Sequence, residues 1–372
     1  MDDSIYSFIF YGNQAISIVV KDETTISELI NIYLKRIQKA NLLVNNIDNI
    51  CFLYNASKIK IIDYPKKVSE YFRLRIGNNI TVVNSYDYKY EFEIISKIKE
   101  NIYTCVYKAK LKIPLNNNID YVAVKKIFKD KIKEEMVYTL CKEEITDEDF
   151  KPEIEKFNKE IRNMEICTCE NSVRIFNYYD TEKEFIIVME LCDENLFNML
   201  ARTKNGFSPE EIKKILIQLN NVFKIMNKNN ISHRDIKLNN ILVKYLNEDK
   251  SDYKILLSDY GISNQLSSLT KKFMTHAGTQ LIMAPEILND EEYTNKCDLW
   301  SLGVNIFQMY TKQFPYVSKV EKGILNLIEK HKQTILNVIK DEKLKDLLSK
   351  LLVRNPDERI SWEDYFEHPF FK

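Results

Sequence analysis

A chain of 372 residues, 45% hydrophobic and 29% charged, is long enough for two domains or one large one, and its composition is globular and soluble. Lys+Arg and Asp+Glu both number 54, and the resulting zero net charge excludes the global basic field that nucleic acid or an anionic membrane would select. Seven scattered cysteines without a CxxC pair exclude a zinc knuckle and point to reduced thiols in an intracellular protein, cytoplasmic with the nucleus left open. The acidic start MDDSIYSFIF lacks the basic segment of a secretory signal, and no apolar run is long enough to span a bilayer.

Residues 7–11 and 15–20 are β-rich runs joined across Gly12-Asn13, which is a hairpin signal. A helix is predicted over 26–39. Thr25 and Glu28 fit a capping box, and Ile26, Leu29, Ile30, Tyr33, Leu34 and Ile37 recur at three- and four-residue steps to make one apolar face. Further β-rich runs follow at 50–54 and 80–83, and one helix crossing one face of a mixed sheet buries such a pattern economically. Residues 1–84 resemble the ubiquitin-like β-grasp domains. CFLYNASKI (51–59) stands where those domains carry their third strand and turn, and NNITVV (78–83) where their last strand runs. The resemblance implies a docking or regulatory role with a protein partner. The chain continues through Ser85-Tyr86-Asp87 with no diglycine end, so conjugation through a terminal glycine is not implied. Residues 85–91 read as a linker.

From residue 92 the β-rich text resumes with a strand–turn–strand at 94–109, IISKIKENIYTCVYKA, and a third strand in YVAVK (121–125). Residues 130–150, dominated by Lys and Glu/Asp, read as an insertion or an extended charged segment. Glu160 lies in KFNKEIRNMEI, and IVMELC (187–192) reads as a buried strand ending in a turn. Ser208-Pro209-Glu210-Glu211 starts a helix whose Ile212, Ile215, Leu216, Leu219, Phe223 and Met226 form a core stripe.

That helix leads to ISHRDIKLNNILVKYLNEDKSDYKILLSDYGIS (231–263), which sets two carboxylates, Asp235 and Asp259, on two short loops. Lys237 and Asn240 follow the first Asp, and Tyr260-Gly261 follow the second. Phosphoryl transfer uses such parts: one carboxylate to take the hydroxyl proton, a carboxylate and an amide oxygen for magnesium, and a lysine for the transferring group.

The strings YVAVK, IVMELC, HRDIKLNN (233–240), DYG (259–261), APE (284–286), DLWSLG (298–303), NPDERIS with Arg359, and the closing EHPFF resemble, in order, the eukaryotic Ser/Thr protein kinase domain over residues 92–372. The resemblance implies an α+β, bilobal kinase fold preceded by the small β-grasp domain, with ATP and magnesium as cofactors and a protein Ser/Thr as acceptor. It makes Asp235 and Lys237 catalytic and Asn240 and Asp259 metal ligands. Lys125 binds phosphates with Glu160 as its acidic partner, Glu153 and Glu155 being weaker alternatives. Ile98, Val106, Ala123, Met189, Glu190, Cys192 and Leu242 surround the nucleotide base. Arg234 receives a regulatory phosphate on Thr275, with Ser267, Ser268 and Thr270 as alternatives. Glu286 pairs with Arg359, and Asp298 anchors the catalytic loop.

Two departures stand out. Tyr260 replaces the usual Phe. Lys99, Asn101 and Thr104 occupy the three positions where the family has phosphate-covering glycines; Asn101 is the one of the three that best tolerates a left-handed φ. The alternative reading is a catalytically weak scaffold.

Overall fold

The computed structural model describes residues 3–10, 16–21, 23–39, 50–54, 57–58, 67, 79–84, 92–115, 119–260, 281–289, 291–316 and 336–372. By its contacts the chain divides into two compact units, residues 1–128 with 176–191, and residues 129–175 with 192–372.

The first unit opens with β1 (Asp3–Phe10), β2 (Ile16–Lys21), α1 (Ile26–Lys39), β3 (Ile50–Tyr54), β4 (Ser57–Lys58) and β5 (Asn79–Asn84). Helix α1 keeps the predicted bounds. Its start is fixed by the reciprocal pair Thr25 N to Glu28 Oε2 (2.8 Å) and Glu28 N to Thr25 Oγ1 (3.2 Å). Ile26, Leu29, Ile30 and Tyr33 are buried beside Ile18 and Val20. The strands form one sheet in the order β2-β1-β5-β3-β4, antiparallel except for the parallel pair β1 and β5, which runs from Ser7 opposite Asn79 to Phe10 opposite Val82.

A second sheet has the order β6-β7-β8-β10-β9, built from β6 (Phe92–Glu100), β7 (Thr104–Leu115), β8 (Ile119–Phe128), β9 (Ile175–Asp180) and β10 (Glu184–Glu190). Alternation along β8 sends Val122 and Val124 into a cluster with Phe92, Ala109, Leu111, Tyr179, Ile186 and Val188. Ala123 and Lys125 therefore take the opposite face.

In the second unit the charged stretch after β8 is mostly helical, which corrects the expectation of an extended segment. Helix α2 (Lys129–Leu140) buries Ile132 and Met136, one turn apart, together with Lys129 on the same face, and most of its other charges occupy the remaining faces. Six charges in the first seven positions of the helix obscure its apolar stripe. Helix α3 (Asp147–Ile166) starts on a Thr146/Asp149 capping box and buries Phe150, Glu153, Phe157, Glu160, Ile161 and Met164.

After β11 (Glu194–Asn195) and α4 (Leu196–Ala201) comes α5 (Pro209–Lys228), capped by Ser208 and burying the whole predicted stripe. A 3₁₀ turn (Leu238–Asn240) leads into β12 (Ile241–Tyr245), which pairs with β11 and with β13 (Tyr253–Leu257). Then follow α6 (Pro285–Leu288), α7 (Lys296–Thr311), α8 (Glu342–Leu351), α9 (Trp362–Phe366) and a last 3₁₀ turn (Pro369–Phe371). Helix α7 is buried on every face from Cys297 to Met309, which makes it the central post of this unit. Among the described residues no helix is long and apolar enough to cross a membrane.

Gly206 holds the turn before α5 against α7. Its φ is +83°, and a Cβ there would lie 2.2 Å from Tyr310 O and 2.9 Å from Met309 O, both backbone atoms that cannot swing aside. Gly206→Ala is expected to lower the urea midpoint by the equivalent of about 1–3 kcal/mol, with the slope of the transition unchanged.

Candidate active site

The loop before β12 is built from the α7 post outward. Asp298, fully buried near the start of α7, accepts the backbone N–H of His233 (2.7 Å) and of Arg234 (2.8 Å) on its two carboxylate oxygens. Burial pushes its carboxyl up, opposed by His233 and by these backbone N–H groups. Asn305, two turns along α7, donates to Ile236 O (2.8 Å). His233 is also fully buried, and burial pushes its imidazole down, toward the neutral form. Its Nδ1 accepts from Asp235 N (3.3 Å), which leaves the ring proton on Nε2 to donate to Ser258 O (3.0 Å). Arg234 bends through a left-handed φ of +66°, and its guanidinium lies 5.5 Å from the centre of the Tyr293 ring.

That bend presents Asp235. Its carboxylate receives Lys237 Nζ at 2.9 Å (Oδ1) and 2.7 Å (Oδ2), and Asn240 Nδ2 at 2.7 Å (Oδ2). Asn240 Nδ2 also donates to Asp235 O (2.9 Å), so the amide is oriented with Oδ1 directed away from Asp235. The strand leading to the second loop is tied to the first: Ser258 N and Oγ both donate to Asn240 O, at 2.9 and 2.8 Å. Asp259 follows with φ +59°. Asp235, Lys237 and Asn240 are thus brought together, and Asp259 is held one residue from the Ser258 tie.

In the first unit the sheet collects Val106, Ala123, Lys125 and Met189 on one face. Val106 stands opposite Lys125 in the β7/β8 register and Met189 opposite Ala123 in the β8/β10 register. Lys125 is 2% exposed, an unusual depth for a lysine. Ile98 sits at a register shift in β6 and is exposed, and Glu190 ends β10, half-buried. Cys192 and Leu242 belong to the second unit, both half-buried; Leu242 stands opposite Asn195 and Leu256. Glu160 is buried on α3. Its neighbour along that face, Glu153, is buried too and held at Oε1 by Lys156 (2.6 Å), and burial pushes its carboxyl up. Glu155 is exposed on the same helix. Ser267, Ser268, Thr270, Thr275 and Gly261 lie outside the described residues.

A family model described as protein kinase domain matches residues 92–371. The chain belongs to the protein kinase family. Its curated relatives are serine/threonine-protein kinases. They include unc-51 of Caenorhabditis elegans, 31% identical over 57% of this chain and 25% of its own length, and atg1 of Dictyostelium discoideum, 32% identical over 58% and 32%. The relative pakG, also of Dictyostelium discoideum, is 34% identical over 59% of this chain and 18% of its own. The chain spans a third or less of the length of these relatives.

Two features depart from the kinase pattern, and the structure gives each a physical setting. The β6–β7 turn is closed by a side chain. Asn101 Oδ1 accepts Thr104 Oγ1 (2.7 Å), Thr104 N (2.8 Å) and Tyr103 N (3.3 Å). Asn101 is not among the positive-φ residues, so its use here is as an acceptor cap, which corrects the expectation based on left-handed tolerance. Tyr260 sits in a buried slot, its ring 5.1 Å from that of His233 and its hydroxyl 2.9 Å from Ser172 Oγ. Ser172, Ser258 and Tyr293 carry no motif, and reading the sequence missed them. The one available signal was the Tyr itself, whose buried hydroxyl demands a partner.

Proposed function

We propose that this chain transfers the γ-phosphoryl group of magnesium-bound ATP to Ser or Thr hydroxyls of a protein. The carrying observation is the Asp235 carboxylate gripped by both Lys237 and Asn240. In this reading Asp235 orients the acceptor hydroxyl and takes its proton, and Lys237, already within reach, neutralises charge on the transferring group. Asn240 Oδ1 and the Asp259 carboxylate are hard oxygen donors of the kind magnesium takes, so the donor set fits the family's metal. Lys125 holds phosphate oxygens, with Glu160 its acidic partner, while Ile98, Val106, Ala123, Met189, Glu190, Cys192 and Leu242 bound the base. When bound, magnesium-ATP supplies the electrophilic phosphorus and the cation that offsets its charge. Arg234 is the docking point for a phosphate on Thr275.

Residues 1–84 are proposed as a ubiquitin-like docking or regulatory domain, joined through 85–91 to the kinase domain. Support comes from the mixed sheet with its central parallel β1/β5 pair and from helix α1.

The weak-scaffold reading draws on the β6–β7 turn, where the amides of Tyr103 and Thr104 are spent on Asn101. Amides so engaged are poorly placed for phosphate, and each hydrogen bond is worth only ~0.5–1.5 kcal/mol net. ATP affinity is therefore expected one to three powers of ten below that of a glycine-bearing loop, with transfer retained. Titration of purified protein with magnesium-ATP, alongside labelled-phosphate transfer to a generic Ser/Thr protein, decides between the readings. Weak saturable binding with slow transfer, and a lower KM for ATP once glycine is restored at Lys99, Asn101 and Thr104, supports the enzyme. No binding at millimolar ATP, unaltered by the glycines, establishes the scaffold.

A further inference from the structure

We propose that Ser172 is a positioning residue for Asp259, acting through the hydroxyl of Tyr260. The inference rests on the reading of Asp259 as a magnesium ligand.

Asp259 has a left-handed backbone, φ +59°, a conformation that is uncommon outside glycine and persists where the surroundings over-determine it. Two anchors flank it. On one side Ser258 is tied twice to Asn240 O. On the other side Tyr260 is 1% exposed, packed on His233, with its hydroxyl against Ser172 Oγ at 2.9 Å. Among the described residues the Cys167 thiol also neighbours that hydroxyl, and a thiol is a poor hydrogen-bond partner.

Ser172 can act as an anchor because its own backbone is fixed to the strand that delivers Asp259. Leu257 N donates to Asn171 O (2.8 Å), Val173 N donates to Leu257 O (2.9 Å), and Asn171 Nδ2 donates to Ile255 O (2.7 Å). Ser172, itself 3% exposed, therefore moves with the end of β13. The ring is clamped to the chain segment it follows, and Asp259 is the residue between the clamp points.

A phenylalanine would fill the same slot without a polar demand. The tyrosine makes the seat conditional. With Ser172 present the hydroxyl is satisfied and the ring stays in. Without it the buried hydroxyl is left with the thiol, and the ring gains by swinging out to water, taking Asp259 with it. Removing one partner of a buried hydrogen bond costs far more than removing both. The signature of positioning is thus a damaged single variant that is repaired by a second substitution at Tyr260.

The test uses the full chain with four variants: Ser172→Ala, Tyr260→Phe, the double variant, and Asp259→Asn. Three quantities are read: the magnesium concentration for half-maximal ADP binding by calorimetry, the transfer rate, and the melting temperature without nucleotide. Ser172→Ala is expected to raise the half-maximal magnesium concentration by roughly tenfold. Tyr260→Phe and the double variant are expected within about twofold of the parent, since neither leaves a buried tyrosine hydroxyl without its partner. An Ser172→Ala protein with a lowered melting temperature but parental magnesium dependence overturns the inference. So does a double variant as impaired as Ser172→Ala. An Asp259→Asn protein with parental magnesium dependence and rate overturns the metal reading itself, and the Ser172 inference with it.

Discussion

Asp259→Asn and Lys125→Met each lower phosphoryl transfer by ~10²-fold or more, with the fold intact. Both exchanges remove a charge while nearly keeping shape. The asparagine retains an oxygen in the Asp259 position but halves its capacity for a divalent cation. The methionine retains the aliphatic stem of Lys125, whose site is 2% exposed and therefore already suits an apolar chain. The Asp259 variant should melt close to the parent, whereas the lysine variant is expected to melt below it, because the buried Glu160, its proposed partner, is left without its cation. Initial rates with a generic protein substrate at saturating magnesium-ATP check the effect. Parental rates in both variants would overturn the assignment of these residues.

Arg359→Ala is expected to cost about 3–5 kcal/mol of stability, among the largest single effects available in this chain. All five guanidinium protons of Arg359 are engaged. Two meet Glu286 end-on, Nη1 to Oε1 at 2.7 Å and Nη2 to Oε2 at 2.9 Å. The others reach Val353 O (3.0 Å), Lys296 O (2.9 Å) and Arg354 O (3.3 Å). The side chains of the ion pair are 0% and 1% exposed. Alanine leaves a buried carboxylate and three carbonyls without the group that satisfied them. Arg359→Lys should rescue little, since one ammonium cannot copy the planar fork. Urea unfolding is the measurement, and a loss below about 1 kcal/mol for the alanine variant would show that the pair is dispensable.

The parts of the fold that could be read beforehand are those where local and long-range signals agree. Thr25 and Glu28 announced α1, and Ser208-Pro209 announced α5, because caps and apolar periodicity coincide there. The catalytic loop was legible as spacing, since Asp235, Lys237 and Asn240 converge on one carboxylate over only six residues. Helix α2 was not, because Ile132 and Met136 are its main apolar anchors and tertiary packing, not periodicity, selects the helix. The supporting cast was invisible for another reason. Ser172 meets Tyr260 across 88 positions, and Asp298 meets His233 across 65, and no local pattern encodes such pairings. Asp298 was found only through family resemblance, and Ser172, lacking any motif, was not found.

The double acceptance by Asp298 has a consequence for amide exchange with solvent. Surface loops ordinarily open at little cost, and their amide protons exchange quickly. The amides of His233 and Arg234 end instead on a carboxylate planted in a helix buried on every face. They are released only when α7 itself loosens. In deuterium uptake these two loop amides should follow the slow class of the core helix, while Asn101 at the exposed β6–β7 turn should follow the fast one. The segment bearing Asp235 is a loop by shape and core by stability, so breathing motions that move other loops do not by themselves disturb its reactive carboxylate.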